Sequence, residues 1–142
     1  MVHFSEILGL PVLDADGSRV GRVDDLRVDS HRGAVDCLIL RVRGETRSLP
    51  WSAVASFSPE HRRVGLVEGS VPAMWAGAVP ETICLKRDVL DRQIIDTQGR
   101  KVVRVNDIAL ETAGDLLVLR RVEVGLAGAV RRLLAGVISP RL

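Results

Sequence analysis

The chain states one segment twice, and this limits its folds more than any other feature. Residues Val12 to Val28 read VLDADGSRVGRVDDLRV, and residues Ile94 to Leu110 read IIDTQGRKVVRVNDIAL. Laid over each other without a gap, Asp14 falls on Asp96, Gly17 on Gly99, Val20 on Val102, Arg22 on Arg104, Val23 on Val105 and Asp25 on Asp107. Chemistry persists at Val12 and Ile94, Arg19 and Lys101, Asp24 and Asn106, Leu26 and Ile108. After a shorter turn in the second copy, Asp36 to Arg41 falls on Asp115 to Arg120. Two copies with long spacing predict two related small domains rather than a solenoid. The boundaries fall at 1–68 for the first copy, 69–85 for a linker and 86–142 for the second. Each copy is small enough that its own core is modest, so the copies are expected to lean on each other.

Within a copy the pattern is that of short strands and tight turns. Phe4 to Gly9 reads as one helical turn, with Ser5 as its cap. Pro11 to Asp14 is a short strand and Asp14-Ala-Asp-Gly17 a turn, because Asp bonds nearby amides and Gly tolerates positive φ. Ser18 to Asp29 alternates with one break, which a bulge near Gly21 repairs. Asp25 recurs as Asp107, which suggests a carboxylate that accepts backbone N–H bonds at a strand end. Ala34 to Val42 is a buried strand, Thr46 to Pro50 a strand closed by Pro, and Arg62 to Val67 the last of the copy. The expectation is a mostly β protein made of two small antiparallel barrels, since closure removes exposed edges. The second copy repeats the order through Arg92 to Asp96, a turn at Thr97-Gln-Gly99, Arg100 to Leu110 and Leu116 to Leu119. It then departs. Leu126, Val130, Leu133 and Leu134 recur at helical spacing, which predicts a short C-terminal amphipathic α-helix.

Of 142 residues, 46% are apolar, which suits a folded chain. No apolar run reaches the length of a membrane span, and the first residues lack the pattern of a secretory signal. A cytoplasmic chain is expected, at most held at the inner face of the membrane through a partner. Net charge is only +2, but residues 1–85 carry 9 Arg against 11 Asp and Glu, whereas 86–142 carry 11 Lys and Arg against 7. Two complementary solvated surfaces account for that asymmetry. Cys37 lies in a strand pattern as a small hydrophobe, and neither it nor Cys84 has a His neighbour to activate it.

Catalytic motifs, a cofactor-binding loop and metal-ligand spacing are absent from the sequence. His3, His31 and His61 lie far apart, and Asp14-x-Asp16-Gly17 lacks the register of a calcium loop. Asp24 and Asp25, adjacent on a strand, face opposite ways and cannot act as a paired acid and base. A divalent-ion edge of Asp24, Asp25 and Asp29 is the one enzymatic alternative. No catalytic, cofactor or metal residue is assigned. Nucleic acid is disfavoured, because only Phe4, Trp51, Phe57 and Trp75 offer aromatic platforms. Arg120, Arg121, Arg131 and Arg132 could contact phosphates or pair with carboxylates across the junction. The candidate interaction residues are Met74 and Trp75, apolar in a Gly- and Pro-rich linker, together with Trp51.

Gly9 to Leu26, followed by an apolar strand and Ser48-Leu-Pro-Trp-Ser-Ala-Val54, resembles the PRC-barrel family. That family includes the cytoplasmic part of the photosynthetic reaction centre H subunit and the C-terminal domain of a ribosome maturation factor. The resemblance covers most of 5–68 and recurs over roughly 86–125. The second copy, with Leu90 to Asp107 and Val124 to Leu133, resembles PRC-barrel segments that precede the helical and CBS modules of magnesium-transporter-like bacterial proteins. Ile138 to Leu142 resembles the approach to Arg47-Ser-Leu-Pro-Trp51, so the chain is expected to be a fragment or to be completed by other material. The resemblance implies a non-catalytic adaptor. Its partners would be another protein, further domains of its own protein, or a second copy of itself. An RNA- or ribosome-associated assembly factor is the alternative.

Overall fold

The computed structural model describes residues 1–75, 77, 79–96, 101–126, 129–134 and 140–141. The expected turn at Thr97 to Gly99 lies outside the described residues. The fold is mostly β. In chain order the elements are β1 (Val2–His3), α1 (Phe4–Ile7), β2 (Pro11–Leu13), β3 (Arg19–Asp29), β4 (Val35–Val42), β5 (Glu45–Pro50), a 3-10 turn (Trp51–Ala53), β6 (Val54–Ser58), β7 (Arg63–Leu66) and β8 (Ala73–Met74). There follow β9 (Thr82–Cys84), a π turn (Leu85–Val89), β10 (Gln93–Asp96), β11 (Lys101–Ala113), β12 (Leu116–Leu126), β13 (Ala129–Leu134) and β14 (Pro140–Arg141).

Two sheets result. One runs β6-β7-β2-β3-β4-β5-β8 with β9 also on β3, and the other runs β13-β12-β11-β10-β14 with β1 also on β11. The expected pair of closed barrels is corrected. Closure needs the terminal strands of a sheet to pair with each other, whereas among the described residues β6 pairs only with β7 and β8 only with β5. One pair, β2 with β7, is parallel. The expected C-terminal helix is also corrected. Ala129–Leu134 is a strand on β12, from Leu126↔Ala129 to Arg121↔Leu134. That pairing satisfies the backbone along a long strand that would otherwise be an open edge, and the glycines at 125 and 128 weaken a helix there.

The bulge expected near Gly21 falls on Val20, since Leu13 pairs with Arg19 and Val12 with Gly21. A Cβ on Gly21 would meet the Arg41 carbonyl oxygen, so only Gly fits where β3 bends. One core runs through both sheets. Phe4, Ile7, Leu26, Leu38, Leu40 and Val64 share it with Ile94, Val105, Ile108, Leu117 and Val122. Among the described residues no helix is long and apolar enough to cross a membrane.

The N-terminal segment of each half docks on the long strand of the other. β1 pairs with β11 through Val2↔Leu110 and His3↔Ala109. β9 pairs with β3 through Arg27↔Cys84 and Val28↔Ile83. Backbone bonds recur at matching positions. Gly9 N–H donates to Val23 O and Val23 N–H to Leu10 O, as Asp91 does to Val105 and Val105 to Arg92. Gly9 and Asp91 both have positive φ, 82° and 61°. The turn of the second half holds a single added residue. It turns the four-residue α1, closed by Leu8 N–H to Phe4 O at 3.0 Å, into a π turn closed by Leu90 N–H to Leu85 O at 2.8 Å.

Candidate functional site

The junction between the halves is organised by the repeated aspartates. In β3 the register shifts between Val23 and Asp25, leaving Asp24 as the bulged residue. In β11 it shifts between Val105 and Asp107, leaving Asn106. A bulge re-aims the side chain beside it, and here it aims each carboxylate at the turn of the other half. Asp25, 5% exposed, accepts Leu26 N–H at 2.7 Å, Lys86 N–H at 2.7 Å and Arg87 N–H at 3.2 Å. Asp107 accepts Ile108 N–H at 2.8 Å, Ser5 N–H at 3.1 Å and the Ser5 hydroxyl at 2.5 Å. An isolated turn of four or five residues is unstable in water. These turns persist because their free amides find a carboxylate and because Phe4, Ile7, Leu85 and Val89 are buried. Burial raises the Asp25 pKa, and the three amide bonds oppose that rise.

The expectation that Asp25 accepts backbone N–H bonds is met. Ser5 is not the cap of its own turn. It is the donor, and the acceptor comes from the far half. The acidic edge of Asp24, Asp25 and Asp29 is dispersed. Asp24 bonds the Lys86 ammonium at 3.1 Å and lies 3.6 Å from Arg41. Asp29 accepts His31 N–H and Arg32 N–H in its own turn. Among the described residues no group of three or more His, Cys, Asp or Glu is placed to hold a metal ion.

The three sequence-derived interaction residues are not brought together. Met74 stands on β8 opposite Arg47 of β5 and is 75% exposed. Val71, which precedes β8 in the chain, is 79% exposed. β8 ends its sheet, so among the described residues its outer backbone edge is unpaired. Trp75 instead turns in, over Cys37, Ile39 and Cys84. The Arg27 guanidinium lies 5.9 Å from its ring centre and is held by Asp36 at 2.9 Å. Leu38 and Leu40 belong to the main core while Cys37 and Ile39 meet Trp75, so Trp75 covers the opposite face of β4. Trp51 packs on the main core, edge-on to Phe57 at 5.7 Å. Its indole N–H donates to Asp115 O at 3.1 Å, a further tie between the halves.

Burial pushes the Cys84 thiol up to about 11 and raises that of Cys37. Both are therefore thiols at neutral pH, with little nucleophilic character. Sequence reasoning missed the Arg27–Trp75 contact, for which no local pattern exists, and the cross-half destination of Asp25 and Asp107, for which the recurrence was the available signal.

No curated protein matches the chain. Residues 1–67 match the PRC-barrel domain.

Proposed function

We propose that the chain is a tandem of two PRC-barrel-like copies, joined by reciprocal exchange of their N-terminal segments, that acts as a non-catalytic adaptor docking a protein partner. The matching backbone bonds and the mirrored roles of Asp25 and Asp107 support the tandem. The observation that carries the docking role is β8, a sheet edge whose outer side is unpaired among the described residues and whose Met74 and Val71 are exposed apolar side chains. An open edge with adjacent apolar side chains is suited to strand addition by a partner: main-chain bonds supply affinity and alternate side chains supply specificity. The carboxylates of the acidic edge are occupied by amides and cations, which supports a structural rather than a hydrolytic use of them. The resemblance of the second half to segments preceding CBS modules directs the partner toward a magnesium-transporter-like system.

The test is calorimetric titration of the purified chain with the CBS-module region of a magnesium-transporter-like protein from the same genome. Binding that weakens about ten-fold or more in Met74→Asp is expected, since a charge placed in an apolar contact must be desolvated. A titration without heat, or binding indifferent to Met74→Asp, would overturn the reading.

A further inference from the structure

A groove lies along β3 and the β4–β5 hairpin of the first half. It is a concavity of about 600 Å³, over which Arg19, Arg22, Arg41, Arg43 and Lys86 face a single carboxylate, Asp24. Lys86 and Arg41 share that carboxylate. Among the described residues, Arg19, Arg22 and Arg43 have no ion pair. Two of these placements are locally unfavourable. Arg22 and Arg41 are direct cross-strand partners, and like charges in that relation repel. Arg43 holds φ at 50° in the β4–β5 hairpin, followed by Gly44 at 81°. Asn, Asp or Gly suits such a position, and another L-residue is strained there. Two unfavourable choices thus place positive charge around one concavity. In the second half Gly125, not an arginine, lies opposite Arg104, the counterpart of Arg22, and Asn106 replaces Asp24.

We infer that this groove binds an acidic peptide segment of a partner protein. Leu8, Val20 and Val23 also line it, so a segment alternating carboxylates with aliphatic side chains matches both parts of the surface. No aromatic side chain lines it, which leaves bases without a stacking platform. The groove shares no residue with the Met74 edge, so this inference stands apart from the adaptor reading and fails separately.

The experiment measures fluorescence anisotropy of a labelled peptide repeating Asp-Glu-Leu against the full chain, with a short single-stranded RNA and anionic phosphatidylglycerol vesicles as competitors. Binding should weaken with salt and fall about ten-fold or more in Arg22→Glu. Arg120→Glu, the same charge change in the other half, should alter it less than about two-fold. Arg43→Gly removes a groove cation while relieving the hairpin, so it should weaken binding and raise the melting temperature, which separates lost binding from lost folding. Absence of peptide binding, equal losses in Arg22→Glu and Arg120→Glu, or tighter binding of the RNA or the vesicles would overturn the inference.

Discussion

His3 ties the exchanged N-terminus to the far sheet. Its Nε2 lies 3.0 Å from Glu123 and its Nδ1 3.3 Å from Glu6. The bond to Glu123 raises its pKa above the ordinary 6.5, against a smaller desolvation effect. The folded state therefore prefers the imidazolium. That contribution is fully present below pH 6.5 and is lost as pH rises through the raised folded value. Thermal melts taken upward from pH 6 should show a falling midpoint, and His3→Gln should flatten the decline. An identical slope in His3→Gln would place the titration elsewhere. Asp25 has the same sign in a lower range: burial raises its folded pKa, so ionising it costs stability as pH rises out of the ordinary carboxylate region.

At the scale of elements, the π turn is an α turn with one residue too many. Aligned on their acidic residues, Leu85-Lys86-Arg87-Asp88-Val89 exceeds Phe4-Ser5-Glu6-Ile7 by Arg87. Glu6 accepts the His3 N–H at 3.0 Å, and Asp88 accepts the Cys84 N–H at 2.9 Å. Arg87 contributes one amide to Asp25 and an exposed ion pair to Asp88. Deleting it should leave a fold with an α turn at a cost of about 1 kcal/mol, read by circular dichroism as a midpoint about 2–4 °C lower. Deleting Ser5, whose amide and hydroxyl both bind Asp107, should cost more. Equal costs would deny the correspondence of the turns. Elements of this kind were legible in the sequence where local rules decide them. The Val20 bulge, the Asp14 turn and the strands around Leu38 and Ile108 all follow from alternation and turn chemistry. Ala129–Leu134 was not, because apolar spacing over six residues suits either a helix or a strand, and the open edge of β12 decides between them.

At the scale of the molecule, the likeness of residues 12–28 to residues 94–110 is legible in the sequence, and the pairing of β1 with β11 and of β9 with β3 is not. Phe4–Ile7 docks on Asp107 and Leu85–Val89 on Asp25, and the stretches Val-Asp-Asp-Leu and Val-Asn-Asp-Ile are too alike to assign either turn to its strand. The exchange also explains why halves of this size suffice: Phe4 and Ile7 are fully buried in a core shared with Ile108 and Leu110, each contributing about 1.5–3 kcal/mol relative to exposure. The bridge Ala34↔Val118 and the Leu119 N–H to Gly33 O bond close the far side. Hydrogen exchange of single amides tests the reciprocal seam most directly. In Asp25→Ala, protection at Lys86 and Arg87 should fall about ten-fold or more, and in Asp107→Ala the same should happen at Ser5, each loss appearing in the half that was not altered. Protection unchanged at those amides, with losses confined to the neighbours of the substituted residue, would contradict the exchange.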